Sequence, residues 1–361
     1  MKSNVVYFNT NLDRIATSPQ DFIDRFTMYA DALRRESNDQ KSVIKLIIGG
    51  FPEIIHRDSL RVISVSRNWL RQLYFLHKFL KGENKPITLI SGDNDISLIL
   101  CIIIKLLLPK VCIQISIHGS FDSIFRSKGA KATIKRLLLS LGLSQAKSIR
   151  IVSESDLRKF QSFLSENYSK VFVSPIPIRI PTDHIDLSRK SKVGIVGRLH
   201  KERGLPEMAS VFEEMDHLSI AAEVLVIGGG TEEDWLQSRL FSLKNISAQF
   251  VGNVKQEELA LFWGEIRVLL SCAPLESYGM ALREALANAV FVIAKKNQVT
   301  ESLANKFPAL MSTYSHKKEA VQLISEALSK VPSPEVVESV RAYLRVQQSE
   351  SLSQLAKSWI H

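Results

Sequence analysis

An alternation that runs twice along the chain constrains its fold more than any other feature. Short apolar, β-branched runs that end in glycine or another small residue are separated by stretches of helical spacing. In the first pass these runs are VVYFN (5–9), IKLIIGG (44–50), ITLISG (87–92) and VCIQISIHG (111–119). Runs that are apolar throughout suit strands buried on both faces of a parallel sheet. Between them, residues 19–35 put Phe22, Phe26, Tyr29 and Leu33 on one helical face, and residues 66–80 read as another helix. The pattern breaks once, at VSPIPIRIPTDH, where Pro175, Pro177 and Pro181 fall close together. Prolines at that density stop regular structure and stiffen a linker. The alternation then restarts with KVGIVG (192–197), AEVLVIGGG (222–230), SAQFVG (247–252), VLLSC (268–272) and VFVIA (290–294). The expected architecture is α/β: two doubly wound, Rossmann-like domains, over 1–175 and 192–333, with a linker at 176–191 and a helical tail over 334–361. A length of 361 residues is too great for one core and suits two.

Charge separates the two halves. Residues 1–175 hold 26 Lys+Arg against 15 Asp+Glu, or +11, and the remaining 21 against 22 give −1. The excess is densest over 123–153, where Arg126, Lys128, Lys131, Lys135, Arg136, Lys147 and Arg150 meet no acid in the sequence. Such a segment suggests an anionic partner: nucleic acid, a phosphorylated substrate or an anionic membrane surface. The plain alternative is a solvated basic face. No aromatic-interleaved basic strand or reader motif supports nucleic acid. Three cysteines in apolar runs, without metal-ligand spacing, point to a reducing compartment and not to a disulfide framework. The N-terminal apolar run is too short for a signal peptide, so the expected location is cytoplasmic.

DISLILCIIIKLLLP (95–109) is the most apolar stretch, but Lys105 interrupts it and it falls short of the ~20 residues of a membrane span. It reads as a helix buried on both sides, with interfacial insertion as the alternative. Asp93-Asn94-Asp95 before it has the look of an Asp-x-Asp metal motif, for which a helix cap is the better explanation.

In the second half the loops after the strands are where ligands bind in such sheets. Strand KVGIVG runs into Arg198-Leu199-His200-Lys201-Glu202-Arg203-Gly204, whose two arginines could clamp a diphosphate. Gly228-Gly229-Gly230 is followed by Glu232, Glu233 and Asp234, acids that would repel a pyrophosphate, so a dinucleotide site is rejected. The triplet reads instead as a tight turn that lets a ligand approach backbone. PLESYGMALREALA (274–287) holds Glu276 and Glu284 eight positions apart. On one helix they would lie ~12 Å apart along the axis and ~80° around it, too far to grip one small group. Gly279 suggests a loop that turns into a helix, leaving the N–H groups of Gly279, Met280 and Ala281 as an anion site. Glu276 would then serve hydroxyls on one side of a phosphate and Glu284 those on the other.

Taken in order, these loops resemble those of the family 4 retaining glycosyltransferases. GIVGRLHKERGL resembles the family's phosphate loop, VLVIGGG its glycine turn, FVGNV (250–254) its base-contacting loop and ESYGMALREALA its paired-glutamate signature, and VTESLA (299–304) matches the segment after the last strand. The resemblance spans most of the chain and is strongest over 194–301. It implies the GT-B fold, with two domains facing a cleft and a C-terminal helix crossing back to the first. It implies a hexosyltransferase-type activity that takes a sugar from a nucleotide-diphosphate donor with retention, without a metal or other cofactor. By the same resemblance Arg198 and Arg203 would bind the diphosphate beside Gly197. Glu276 would hold the donor sugar with Ser277, Tyr278, Gly279 and Met280, and Glu284 would take the ribose. Gly229, Asn253 and Val254 would complete the donor site, and His118 of the first domain would lie against the sugar. The chain departs from the family in two places. Arg203 stands where lysine is usual, and Asn9-Thr10-Asn11-Leu12-Asp13 replaces a glycine-rich loop. The basic first domain fits a lipid-linked saccharide acceptor, as in lipopolysaccharide or surface-polysaccharide synthesis, with Arg126, Lys128, Lys131, Lys135 and Arg136 docking on an anionic inner membrane as a peripheral protein. The alternative is a soluble enzyme with a small-molecule or glucan acceptor.

Overall fold

The computed structural model describes residues 4–11, 19–52, 55–93, 95–117, 129–183 and 186–360. His118, Arg126 and Lys128 lie outside these, as does the Lys131 side chain. The chain forms two units, Met1–Pro177 with Gln348–His361, and Ile178–Gln347.

The first unit is built on an eight-stranded sheet: β1 (Asn4–Asn9), β2 (Ile44–Gly49), β3 (Ile55–His56), β4 (Leu60–Val65), β5 (Ile87–Ser91), β6 (Val111–Ile117), β7 (Ala146–Ile151) and β8 (Val171–Val173). Their order is β3-β4-β2-β1-β5-β6-β7-β8, with β3 antiparallel to β4 and the other pairs parallel. The helices are α1 (Pro19–Ser37), α2 (Trp69–Lys81), α3 (Ile96–Leu107), α4 (Ala130–Gln145) and α5 (Glu154–Leu164). α1 buries Phe22, Phe26, Tyr29 and Leu33, the face its spacing predicts. α3 is largely buried between α2 and α4, but its last turn leaves Leu106 and Leu107 exposed. Asp93 accepts the backbone N–H groups of Asp95 (2.9 Å) and Ser97 (3.2 Å), so this acid caps the start of α3. Asp95 pairs instead with Lys135 at 2.7 Å.

That pair corrects one reading of the basic segment, since a neighbour in space supplies the acid that the sequence lacks locally. Arg150 corrects another. It lies in β7, buried, and donates to the carbonyls of Ser174 (2.8 Å) and Pro175 (2.9 Å) and to the Tyr29 hydroxyl (3.1 Å). It is a structural cation and no part of a docking surface.

The second unit carries β9 (Lys192–Val196), β10 (Ala222–Ile227), β11 (Ile246–Gly252), β12 (Ile266–Ser271), β13 (Phe291–Lys295) and β14 (Met311–Tyr314). All pairs are parallel, in the order β11-β10-β9-β12-β13-β14. Counted along the chain this is 3-2-1-4-5-6, and the winding reverses between β9 and β12. Its helices are α6 (Leu205–His217), α7 (Glu233–Phe241), α8 (Gln256–Trp263), α9 (Met280–Ala287), α10 (Gln298–Lys306) and α11 (Lys317–Leu328). α12 (Pro334–Lys357) begins in this unit, where Val340 and Leu344 join the core, and ends in the first. There Leu352, Leu355 and Trp359 pack with α1, and the Trp359 indole donates to Gln114 at 2.8 Å.

At the base of the second sheet two buried cations lie together with no carboxylate partner on either among the described residues. Lys190 donates to the carbonyls of Trp263 and Ile266, and Arg267 donates to those of Lys190 and Leu187. Burial, and then the Arg267 charge, pull the Lys190 ammonium down from 10.5 to about 7. The unfolded chain therefore binds the extra proton between about pH 7 and 10.5, and stability rises with pH across that window. Above about pH 9 the trend is opposed, because burial pushes the Cys272 thiol up to about 12 while the unfolded thiol ionises. Urea midpoints should climb from pH 7 to 8.5 in the wild type, and Lys190→Met should flatten that climb.

Candidate functional site

The winding reversal in the second unit brings two loops together, one after β9 and one after β12. Gly197 leaves β9 at φ +135°, and a β-carbon on it would sit 3.2 Å from Arg203 Nη2. Gly204 closes the turn at φ +72°, where a β-carbon would fall 2.0 Å from the Cys272 carbonyl oxygen. Only glycine has both the left-handed backbone and the missing side chain this approach demands. The two loops bound a recess of about 410 Å³, open mouth included, lined in part by Gly197, Arg198, Arg203, Ala273 and Glu276.

The two arginines of the first loop are not equivalent. Arg203 turns inward and its Nη1 lies 3.3 Å from Glu276 Oε2, whose side chain is 14% exposed. Arg198, 73% exposed at the rim, lies 3.9 Å from Glu202.

The second loop turns into a helix at Gly279, which caps α9 at φ +73°. The first N–H groups of α9 thus have no carbonyl four residues back and face the end of the helix with positive partial charge. Glu284, one turn in, is buried and accepts from Gln256 Nε2 at 2.9 Å. Gln256 opens α8, just beyond β11. The paired glutamates therefore belong to different neighbourhoods: Glu276 to the loop after β9, Glu284 to the start of α8.

The glycine triplet has a different use from the one its sequence suggests. β-Carbons on Gly228 and Gly230 would fall 2.0 Å from the Gly197 oxygen and 2.3 Å from the Leu199 oxygen. These glycines let the loops after β9 and β10 lie backbone to backbone, and Leu199 N donates to Gly229 O at 2.9 Å. Gly229 itself faces the Asn253 amide, 3.0 Å from where its β-carbon would be. Val254 packs against the core. His200 Nδ1 lies 3.0 Å from the Thr231 hydroxyl and 3.4 Å from the Thr231 backbone nitrogen.

A family model described as glycosyl transferases group 1 matches residues 183–339, a span that holds this whole site. No curated protein matches the chain. Among solved structures, sucrose-phosphate synthase from Thermosynechococcus elongatus has 13% identity and a TM-score of 0.70, covering 99% of this chain and 95% of that one. The lipopolysaccharide outer core galactosyltransferase WaaB has 13% identity and a TM-score of 0.65, covering 99% of this chain and 100% of that one. S. aureus TarM, solved with UDP, fondaparinux and α-GlcNAc-glycerol, has 12% identity and a TM-score of 0.61 over 81% of this chain, which spans only 58% of TarM.

The fold is GT-B. In GT-B terms, the site lies in the C-terminal of the two Rossmann-like domains, at its winding reversal. Sequence reasoning missed three residues here: Gln256, His200 and Arg283, whose guanidinium stacks 3.9 Å from the centroid of the Tyr278 ring. For Arg283 there was a signal, since a cation in the first turns of a helix opposes the helix dipole. In the N-terminal GT-B domain, Asn9 ends β1 and Thr10 follows it, where the resemblance implies a glycine loop. The Asn9 amide donates to Asp93 (3.2 Å) and the Thr10 N–H to the Ser97 hydroxyl (3.1 Å), which ties that loop to the start of α3. Among the described residues no three His, Cys, Asp or Glu side chains gather as a metal site, and no helix is long and apolar enough to cross a membrane.

Proposed function

We propose that this protein is a retaining, metal-independent glycosyltransferase that moves a sugar from a nucleoside-diphosphate donor to a saccharide acceptor. The observation that carries the reading is the convergence of Arg203, Glu276 and the N-terminus of α9 on one recess of the domain that the glycosyltransferase model matches. The bound UDP of the similar TarM structure supports a nucleotide donor. As the sugar's anomeric bond breaks, charge develops on the leaving diphosphate. Arg203, Arg198 and the α9 N–H groups would stabilise it. Glu276 would exchange its Arg203 partner in part for sugar hydroxyls, beside Ser277, Tyr278 and Met280, and Glu284, held by Gln256, would take the ribose. Asn253 and Val254 would flank the base, and His118, outside the described residues, would meet the sugar. Incubating the protein with a panel of nucleotide sugars and saccharides should release one nucleoside diphosphate in step with a glycosylated product. Silence across the panel would count against the reading.

For the acceptor, a small molecule or glucan is favoured, because sucrose-phosphate synthase is named for a small soluble product. A lipid-linked acceptor at an anionic membrane surface is the second reading, favoured by one specific observation. The neighbouring helices α2, α3 and α4 of the first unit expose Trp69, Leu70 and Tyr74, then Leu106 and Leu107, then Ile134, Leu137 and Leu141. The α4 trio is 56%, 65% and 49% exposed, a stripe at i, i+3 and i+7 beside Arg136 and the Asp95-paired Lys135. An apolar stripe edged with cations, with Trp and Tyr nearby, suits a peripheral helix in an anionic interface. Anionic vesicles should float the protein, less so in high salt, and Ile134/Leu137/Leu141→Ser should abolish it. Equal flotation by the triple variant would remove this reading.

A further inference from the structure

Arg283 is a costly residue for its position. It is the fourth residue of α9, where a positive charge opposes the helix dipole, and the first turn offers no acid to offset it. Its guanidinium stacks 3.9 Å from the centroid of the Tyr278 ring and its Nη1 donates to the Tyr278 carbonyl. Its Nε is buried with no hydrogen-bond partner among the described residues. Burial holds its pKa below the usual arginine range and raises that of the Tyr278 phenol. The carboxylate whose charge reaches it is Glu276, which is already paired with Arg203. Two guanidiniums thus share one acid at the start of a helix whose own partial charge is positive.

An apolar side chain would serve the fold at least as well here, because it would relieve an unpartnered donor and an unfavourable charge. What the arginine does that leucine would not is local. It grips the carbonyl and ring of Tyr278, and so fixes the 276–279 loop against the first turn of α9. Gly279 leaves room for this fold-back: a β-carbon there would lie 3.1 Å from Leu282 and 3.5 Å from Glu276 Cγ. The loop that Arg283 fixes is the one that carries Glu276 into the recess.

We propose that Arg283 is a positioning residue of the donor site, holding the 276–279 loop through Tyr278 and keeping uncompensated positive charge beneath the α9 N-terminus for the donor diphosphate. This rests on the donor-site reading above. It adds to that reading a residue that acts through Tyr278 and the field, without touching the transferred sugar.

The test compares wild type, Arg283→Leu and Arg283→Lys by calorimetric binding of UDP, GDP and ADP, by thermal melting, and by kcat and KM for transfer. Arg283→Leu should weaken binding of the preferred nucleotide about tenfold, with a melting temperature equal to or above wild type. Arg283→Lys restores the charge but not the planar fork. It should recover most of the nucleotide affinity while kcat stays low, because the loop is still unheld. Arg283→Leu binding within twofold of wild type would overturn the proposal. So would a loss of binding matched by a fall in melting temperature, or failure of the variant to fold, either of which assigns Arg283 a purely structural role. Wild type that binds none of the nucleotides overturns the donor-site reading itself, a result distinct from these.

Discussion

Glu276→Ala is expected to lower sugar transfer by about 10²–10³-fold while nucleoside-diphosphate binding holds or tightens. The two effects have opposite signs because Glu276 has two duties. In this structure it neutralises Arg203 at 3.3 Å. In the proposed complex it holds the sugar while Arg203 faces the diphosphate. Removing the carboxylate frees the guanidinium for phosphate but leaves the sugar unheld. Arg203→Ala should do the reverse, weakening the nucleotide and leaving Glu276 a half-buried acid without its cation. Calorimetry with the nucleotide, alongside product formation, separates the two. If Glu276→Ala loses affinity for the nucleotide and Arg203→Ala does not, the assignment of roles is wrong.

The second large effect is on folding. Gly228→Ala should destabilise the second unit by roughly 3 kcal/mol or more, since its φ is +123° and the new methyl would fall 2.0 Å from the Gly197 oxygen. Backbone cannot step aside there without unpairing β9 from β10, because the Gly197 N–H is bonded to Ile227 O at 2.9 Å. Gly252→Ala is the control. It also has positive φ, at +78°, but a β-carbon there meets nothing within 4 Å, so only the backbone strain of about 1–2 kcal/mol applies. Urea unfolding followed by circular dichroism should show a much larger shift for Gly228→Ala. Equal shifts would mean that loop contact contributes little.

How far the sequence could be read depended on whether a feature was local. The second unit's strands from β9 to β13 were legible because each is an apolar run with a glycine or small residue after it. The turn of PLESYGMALREALA from loop to helix was legible from Gly279. β14 was not, since MSTY offers two small polar residues and no run. β4 and β7 were hidden by charge, at Arg61 and at Lys147 and Arg150, in strands that tertiary partners complete. Arg150 shows the reason most clearly. Its acceptors at Tyr29, Ser174 and Pro175 lie 121, 24 and 25 positions away, so nothing near it in the sequence marks it as buried. The glycine triplet misled in a similar way. Its demand for open space was legible, but what fills that space is backbone of the neighbouring loop. At the candidate site, the eight-residue interval was legible as two glutamates too far apart to share one partner, and their partners here are Arg203 and Gln256. Which arginine turns inward is set by the reversal of the sheet, which brings Arg203 and Glu276, 73 positions apart, face to face, while Gln256 meets Glu284 across 28 positions from the start of α8.

The central claim is that the recess between the loops after β9 and β12 binds a nucleoside diphosphate through Arg203 and the start of α9. Its most direct measurement is a calorimetric titration of UDP, GDP and ADP into the wild type and into Arg203→Ala. One nucleotide should bind the wild type with a stoichiometry of one, and Arg203→Ala should weaken it about tenfold or more. Binding of no nucleotide, or binding that Arg203→Ala leaves unchanged, would contradict the account.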